Sequence, residues 1–537
     1  MTSEDINADV LIVGSGPLGA TFARILALGG RQVCMIESGA QHSRLPGEHL
    51  KNAFVYQRDL DRFTPIVQGL LNPVSIPYTP GSPTVLDPVS FRPASGSVRS
   101  GHNPKQQADR NLPGAAVSYG VGGMFTHWTN NTPRQHPTLE RPDFFSDDQW
   151  KALYGIAEKL LNTRLDVFDQ SRRHAAVINA LRCHYGSRLV HPYEVQSLPT
   201  AGERRKDNDE FVHFTGVDTV LGPLLNHPDW AAAGKFKILA HHRCKELVHQ
   251  DGKVTHAIVE DLMRWRRFNI RANTFIITGG AVLTPQLLWA SGIRPDALGR
   301  YLHEHPMAFT QIVLRKEIVN SIKEALSPAQ AQELLAAKDP VPIPVHDPPP
   351  MAWIPVSQNR PWHCQVHRDS FAYGALPPDI DDRLVVDLRW FGMVDPAQTN
   401  RITFEDSVHD KFGMPQPTFD FTLSGDDRRR ADEMMSDLVE AAQVLGGFLP
   451  GSEPRFLPPG SSLHLQGTTR MGPSDDHSSV VDLSSRVWDF ENLFLGGNGL
   501  LPTRNACNPT LTSMALAVQS AADILGRDPA SIDIEVR

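Results

Sequence analysis

Two stretches near the carboxy terminus hold residue types that could move a proton while a hydride leaves. Leu463-His464-Leu465-Gln466-Gly467-Thr468-Thr469-Arg470-Met471-Gly472 sets a histidine before a glycine-bounded turn. An imidazole with an unperturbed pKa of about 6.5 can accept an alcohol proton as hydride leaves the same carbon. Residue type alone is weak ground, because the chain has 22 histidines. Arg504-Asn505-Ala506-Cys507-Asn508-Pro509-Thr510-Leu511-Thr512 places Asn508 at an expected N-cap and Pro509 at the first position of a helix reaching Leu525. The start of such a helix stabilises negative charge developing on a group held before it, and Asn508 would face a substrate oxygen.

A second kind of chemistry is written at the amino terminus. Asp9-Val10-Leu11-Ile12-Val13 reads as a strand, Gly14-Ser15-Gly16-Pro17-Leu18-Gly19 as a tight turn, and Ala20 to Leu28 as a helix. Gln32 to Glu37 reads as a further strand ending in an acid eighteen residues beyond Gly19. In this context Gly14 makes the turn, Gly16 lets backbone approach a pyrophosphate, Gly19 lets helix pack on strand, and Glu37 accepts from ribose hydroxyls. The fingerprint predicts a bound dinucleotide without separating NAD from FAD.

The elements that must position these groups are spread along the chain. Leu45 to Asn111 is rich in Pro, Gly and Ser and reads as a surface excursion or an interaction arm. Tyr119 to Thr129, with Gly122 and Gly123, predicts a loop whose amides line an anionic or heteroaromatic group. Phe236–Ala240, Glu246–Val248, Ala257–Asp261 and Thr274–Ile277 read as strands, with a helix from Pro285 to Ser291. A different texture runs from about Gln311 to Gly460: a helix-prone stretch Glu317 to Ala337, the Pro-rich Asp339 to Pro350, and strands at Leu384–Phe391 and Arg401–Phe404 suggesting an antiparallel sheet. Arg428 to Arg430 reads as a solvated helix start. Asn492 to Gly497 is one more strand running into glycines.

Composition excludes several classes. The chain has 537 residues, too many for one ordinary core, with 40% hydrophobic and 21% charged residues. A net charge of -8 without a basic stripe argues against nucleic acid. Five scattered cysteines form no CxxC pair, so neither zinc nor a dithiol is expected, and a reducing compartment fits. The apolar run Val10 to Val13 is far shorter than a signal core or a membrane span, which predicts a cytoplasmic protein.

Taken together, these motifs resemble the glucose-methanol-choline oxidoreductases and, within them, the pyranose oxidases. The general pattern is carried by the amino-terminal glycines, Gly280-Ala281-Val282-Leu283-Thr284-Pro285-Gln286-Leu287-Leu288, His303-Glu304-His305-Pro306, and the His464 and Asn508 pair. The narrower likeness lies in Thr126-His127-Trp128-Thr129, Trp362 to Gly374, Met414 to Phe421, and Gly446 to Gly451; it is weakest from Leu45 to Asn111. The resemblance implies a Rossmann-like α/β FAD-binding domain interleaved with an α+β substrate domain on an antiparallel sheet. The implied boundaries are 1–45, 112–310 and 461–537 for the first, 311–460 for the second, and 46–111 for the excursion.

The resemblance also implies site roles. His464 is the base, with Asn508 as its partner at the substrate hydroxyl. FAD contacts fall on Gly14, Gly16, Gly19, Glu37, Gly122, Gly123, Thr126, His127, Trp128, Thr129, Gly497, Asn498, Pro509 and Thr510, with Thr129 near flavin N5. Gln365, Asp369 and Arg389 sit at the sugar, and Phe371 and Tyr373 belong to a gating loop. His127 matches a histidine joined covalently to the flavin in fungal relatives; Phe125, replacing a small residue of that motif, leaves the bond here open. The implied reaction is oxidation of a pyranose secondary alcohol, at C2 of a free sugar or C3 of a glycoside, with dioxygen or a quinone as acceptor; a lyase on the same scaffold and a noncatalytic FAD-binding protein are the alternatives. The Pro-rich Asp339 to Pro350 is expected to make room for a glycoside's aglycone. Fungal relatives associate through an arm, and the divergence between Leu45 and Asn111 leaves the oligomeric state open.

Overall fold

The computed structural model describes residues 5–78, 101–208, 210–226, 234–368 and 371–535. Strand β1 (Ile6–Val13) ends in a continuous apolar run, Val10 to Val13, because both its faces are covered there, and Val10, Leu11 and Ile12 are buried. Helix α1 (Pro17–Leu28) and strand β2 (Val33–Glu37) follow. Helix α2 (Asp147–Leu161) opens with a capping box between Ser146 and Gln149. Strands β3 (Phe236–Ala240), β4 (His242–Gln250), β5 (Lys253–Asp261) and β6 (Arg266–Ile277) lead to helix α3 (Gly280–Ala290).

Beyond them come β7 (Met307–Leu314), α4 (Lys316–Glu324), α5 (Pro328–Ala337), β8 (Ala352–Ile354), β9 (Trp362–His367) and β10 (Val385–Gly392). Helix α6 (Gly425–Leu445), strands β11 (Gly446–Phe448) and β12 (Leu493–Leu495), and helix α7 (Thr510–Leu525) complete the framework.

Two sheets organise the molecule. The first has the order β3-β2-β1-β6-β5-β4, with β12 beside β6. Its β3, β2, β1, β6 and β12 run parallel, while β5 and β4 add an antiparallel edge. Helix α7 packs on α1 and α2 over this sheet. The second sheet is antiparallel, in the order β11-β7-β10-β9-β8. Its central strand shows period two: Val386, Leu388 and Trp390 pack with Met434 and Leu438 of α6, which leaves Arg389 and Phe391 for the opposite face. Among the described residues, no helix is long and apolar enough to cross a membrane.

Several local expectations shift. Pro285 lies inside α3 rather than near its first turn. A proline there leaves the carbonyl four residues earlier without its helical partner, and the Thr468 hydroxyl donates to that oxygen, on Ala281, at 2.7 Å. The stretch from Glu317 to Ala337 is two helices, because Ser327 caps a new one with Pro328 at its first position. Arg401–Thr403 does not join the large antiparallel sheet; it pairs with Thr418–Asp420, and Ile402 is tied to Gly299 by a 2.8 Å backbone hydrogen bond. The described parts of 46–111 are anchored to the body, since the Asn52 carboxamide exchanges bonds with the Phe214 backbone and Asn103 reaches Pro417 and Thr418.

Candidate active site

A cavity of about 350 Å³ opens between the two sheets. One end is the turn after β1. A Cβ on Gly14 (φ +104°) would lie 2.7 Å from the Thr278 carbonyl oxygen, and one on Gly19 would lie 2.2 Å from the Gly14 oxygen, so strand and helix touch there. Gly16 differs: a Cβ on it would meet nothing within 4 Å and would project into space that a ligand backbone can use. The amino end of α1 faces the same space and favours an anion.

Glu37 lines this end, yet its carboxylate also braces the turn. Oε2 accepts from the Ser15 amide at 3.2 Å and hydroxyl at 2.9 Å, and Oε1 accepts from the Gly39 amide at 2.9 Å. Gly123, His127, Trp128, Thr129, Gly497, Asn498 and Thr510 line the cavity as expected. Four of the expected cofactor contacts stand behind the wall instead. Gly19 packs on Gly14, the Gly122 amide donates to the Ser15 hydroxyl at 3.0 Å, and the Thr126 hydroxyl meets His127 Nδ1 at 2.9 Å. Pro509 is the fourth. It occupies the N-cap of α7, one residue later than the sequence suggests, because the Asn508 carboxamide is turned to other partners and caps nothing.

His127 is buried, and its other ring nitrogen lies 3.2 Å from the Ser118 hydroxyl; burial pushes its pKa down to about 4. Phe125 lies flat against Trp128, with ring centroids 3.7 Å apart. The Trp128 indole N–H is fixed on the Thr215 carbonyl at 2.9 Å.

At the other end a directed chain of hydrogen bonds runs through the site. The Trp353 indole can only donate, and it donates to His363 Nδ1 at 2.8 Å. The proton of neutral His363 therefore sits on Nε2, which bonds the Asn508 side chain. The Asn508 oxygen also accepts from Gln365 Nε2 at 2.6 Å, and Asn508 Nδ2 donates to His464 Nε2 at 3.2 Å. His464 Nδ1 must then carry the proton and donate to His305 Nδ1, 3.2 Å away. His305 Nε2 in turn donates to the Asn505 oxygen at 3.0 Å. The far end is fixed independently, since Asn505 Nδ2 donates at 3.1 Å to the Thr503 carbonyl, which can only accept. With these two ends the chain leaves His464 Nε2 unprotonated and accepting from Asn508; the amide nitrogens of Gln365 and Gln466 also lie 2.6 and 3.1 Å from His363 Nε2 and His305 Nε2.

Burial, with His363 nearby, pushes the His464 imidazole down to about 3, and burial takes His363 to about 3 as well. His305 is held well below the usual histidine range by burial and by His464. Beneath His464, burial raises the Glu304 carboxyl to about 8, and the Ser462 hydroxyl donates to it.

The wall supplied by the second sheet carries the groups expected to meet substrate. Gln365 on β9 and Arg389 on β10 are register partners, both almost fully buried. Asn131 Nδ2 donates to the Gln365 oxygen at 3.0 Å and to the Thr129 hydroxyl at 3.1 Å, so it ties the two sides of the cavity. Phe371 and Tyr373 stack with centroids 5.4 Å apart, and the Arg389 guanidinium lies 5.0 Å from the Tyr373 ring. Gln311 Nε2 and Arg368 both donate to the Gly374 carbonyl, at 2.9 and 2.8 Å, which pins the end of this loop. Asp369 lies outside the described residues. The Pro-rich segment does not line the cavity: Asp347 accepts from the Ser171 hydroxyl and the Arg172 and Arg173 amides, so it anchors a helix start and opens no room for an aglycone.

Sequence reasoning assigned no role to Asn131, Trp353, His363, Glu304 or His305. His303-Glu304-His305-Pro306 was visible as a motif; Trp353 and Asn131 carry no local signal, since their partners lie 10 and 234 residues away in the chain.

Comparison with known proteins places this geometry. Models described as GMC oxidoreductase match residues 228–307 and 396–517, and a model described as FAD binding domain matches residues 7–63. A pyranose 2-oxidase of Emericella nidulans is 42% identical over 96% of this chain and 92% of its own length. The chain belongs to the GMC oxidoreductase family. A C-glycoside 3-oxidase of Arthrobacter globiformis is 33% identical over 96% of this chain and 94% of its own length. Solved GMC-like folds include pyridoxine 4-oxidase from Mesorbium loti (TM-score 0.64, 16% identity, 97% of this chain and 100% of that one) and formate oxidase (TM-score 0.65, 13% identity, 98% and 99%). As a GMC oxidoreductase the chain is an FAD-dependent enzyme. The glycine-lined turn, the open space at Gly16 and the helix start beside it fit the pyrophosphate of that cofactor.

Proposed function

We propose that this enzyme oxidises a secondary alcohol of a pyranose ring, at C2 or C3, to the ketone. One observation carries the reading: a neutral, buried His464 with an unprotonated Nε2 faces Asn508 where the cofactor cavity meets Gln365, Arg389, Phe371 and Tyr373. Relatives named pyranose 2-oxidase and C-glycoside 3-oxidase, at 33–42% identity along nearly the whole chain, support it. We assign the parallel-sheet regions 1–45, 112–310 and 461–537 to cofactor binding and 311–460 to substrate.

FAD, when bound, supplies the two-electron acceptor for the hydride of the alcohol carbon. His464 Nε2 takes the hydroxyl proton, and Asn508 Nδ2 donates to the alcohol oxygen as its charge grows. His305 holds the His464 Nδ1 proton, so the imidazolium formed during turnover stays oriented and stabilised. Planar Gln365 and Arg389 orient ring hydroxyls, while Phe371 and Tyr373 cover the sugar and exclude water. The electrons leave to dioxygen, giving hydrogen peroxide, or to a quinone-type acceptor. The test is a screen of monosaccharides and glycosides for anaerobic flavin bleaching, followed by NMR location of the ketone. A sugar that bleaches the flavin and yields a ring ketone is expected; a flavin bleached by none of them refutes the reading.

A further inference from the structure

Beside Cys507, the residue before Asn508, lies a second, more open chamber of about 1000 Å³. The mechanism uses none of its open space. Gln135 lines it, is only 3% exposed, and neither its amide nitrogen nor its amide oxygen has a hydrogen-bond partner among the described residues. A buried carboxamide with both ends unpaired is destabilising unless something bonds it. Arg141 adds a second unspent donor, since its buried Nε also has no partner.

The chemistry of the lining selects a ligand class. Four basic and four acidic side chains line the chamber. Most are matched: Arg134 grips Glu158 through two bonds of 2.6 and 2.7 Å, Arg164 pairs with Asp166, and Arg141 pairs with Asp147. An ion gains little from such a balanced surface. The stacked rings of His136 and Tyr193, with centroids 4.7 Å apart, offer flat faces beside planar polar groups that both donate and accept. Ring faces beside paired carboxamide and guanidinium groups suit an uncharged polyol with apolar C–H patches.

We propose that this chamber is a second, noncatalytic binding site for a neutral saccharide, with Gln135 in its wall. It touches the active site through two shared walls. Trp353 lines the chamber and donates to His363, and Glu140 lines it while accepting from the Ala506 and Cys507 amides at 2.8 and 2.9 Å, just before Asn508. The inference does not rest on the identity of the oxidised substrate.

Calorimetric titration of dithionite-reduced holoenzyme under anaerobic conditions tests it, because reduced enzyme binds sugar without turnover. D-glucose, methyl β-D-glucopyranoside and maltose serve as probes. At least one is expected to fill two sites per chain in the wild type. Gln135→Leu should weaken one of the two about tenfold or more while leaving the rate of flavin reduction unchanged. The variant should fold, because the leucine replaces an amide with no partner to lose, and its ligand-free Tm should not fall. Tyr193→Ala, at the rim, provides a second weakened variant. A single site insensitive to both substitutions and removed by Arg389→Ala overturns the proposal. So does a chamber that binds p-benzoquinone and none of the three sugars. If the catalytic cavity takes no sugar, the wild type shows one site that Gln135→Leu removes, which separates the two failures.

Discussion

His305 touches neither cofactor nor substrate in this account, so its replacement isolates what the hydrogen-bond chain contributes. Before reaction the His464 Nδ1–H to His305 bond, 3.2 Å long, joins two neutral rings. Once His464 has taken the substrate proton, the same bond has a charged donor. Charged hydrogen bonds are worth about 1.5–3 kcal/mol and neutral ones about 0.5–1.5 kcal/mol, so the bond strengthens by about 1 to 1.5 kcal/mol along the reaction. His305→Leu should therefore slow flavin reduction by about five- to tenfold. Asn505 is not orphaned by the change, since its oxygen still accepts from Gln466 Nε2 at 3.1 Å, so the loss should not come from misfolding. His305→Gln, which restores an acceptor, should recover most of the rate. Anaerobic stopped-flow at saturating substrate reads the reduction constant directly. Unchanged reduction in His305→Leu, or a His305→Gln enzyme as slow as the leucine variant, refutes the directed chain.

Other consequences follow from the same geometry. His363 and His464 are pushed down to about 3 from an unfolded value of about 6.5, so below pH 6.5 the unfolded chain binds more protons than the folded one. Stability should fall as pH drops from 6.5 toward 3, by up to about 1.4 kcal/mol per pH unit for each such histidine, and a Tm that does not change between pH 7.5 and 5 contradicts this. The reduction rate constant itself should stay flat from pH 5 to 8, because His464 is already unprotonated there; a rise centred near 6.5 means the base titrates normally. Gly14→Ala puts a Cβ 2.7 Å from the Thr278 carbonyl at φ +104° and should yield colourless, FAD-free protein, whereas full flavin occupancy argues against the tight turn. If His127 is joined to the cofactor, acid-precipitated enzyme keeps its yellow colour and His127→Ala does not; a colourless wild-type pellet rejects the bond and leaves the redox reading untouched.

Much of this architecture was legible because local rules and tertiary demands coincide. The run Val10–Ile12, the turn at Gly14 and the acid at Glu37 announce a parallel strand, a tight turn and a second strand end, and each sits as written. The strand expected at Leu384–Phe391 forms at Val385–Gly392, and Arg389 lies on it. Legibility failed where a distant group overrides a local preference. Pro285 is tolerated inside a helix because the Thr468 hydroxyl, 183 residues on, takes over the Ala281 carbonyl. Asn508 reads as a helix cap from its neighbours, but Gln365 and His464 turn its carboxamide away from the helix. Trp353 and Asn131 matter only through contacts that no spacing rule reveals.

The central claim is that His464 is the base for sugar oxidation. Stopped-flow flavin reduction of His464→Ala, with a sugar that bleaches the wild type, tests it most directly. The account predicts a rate constant lower by about 10²- to 10⁴-fold, with FAD still bound. Reduction at the wild-type rate contradicts it.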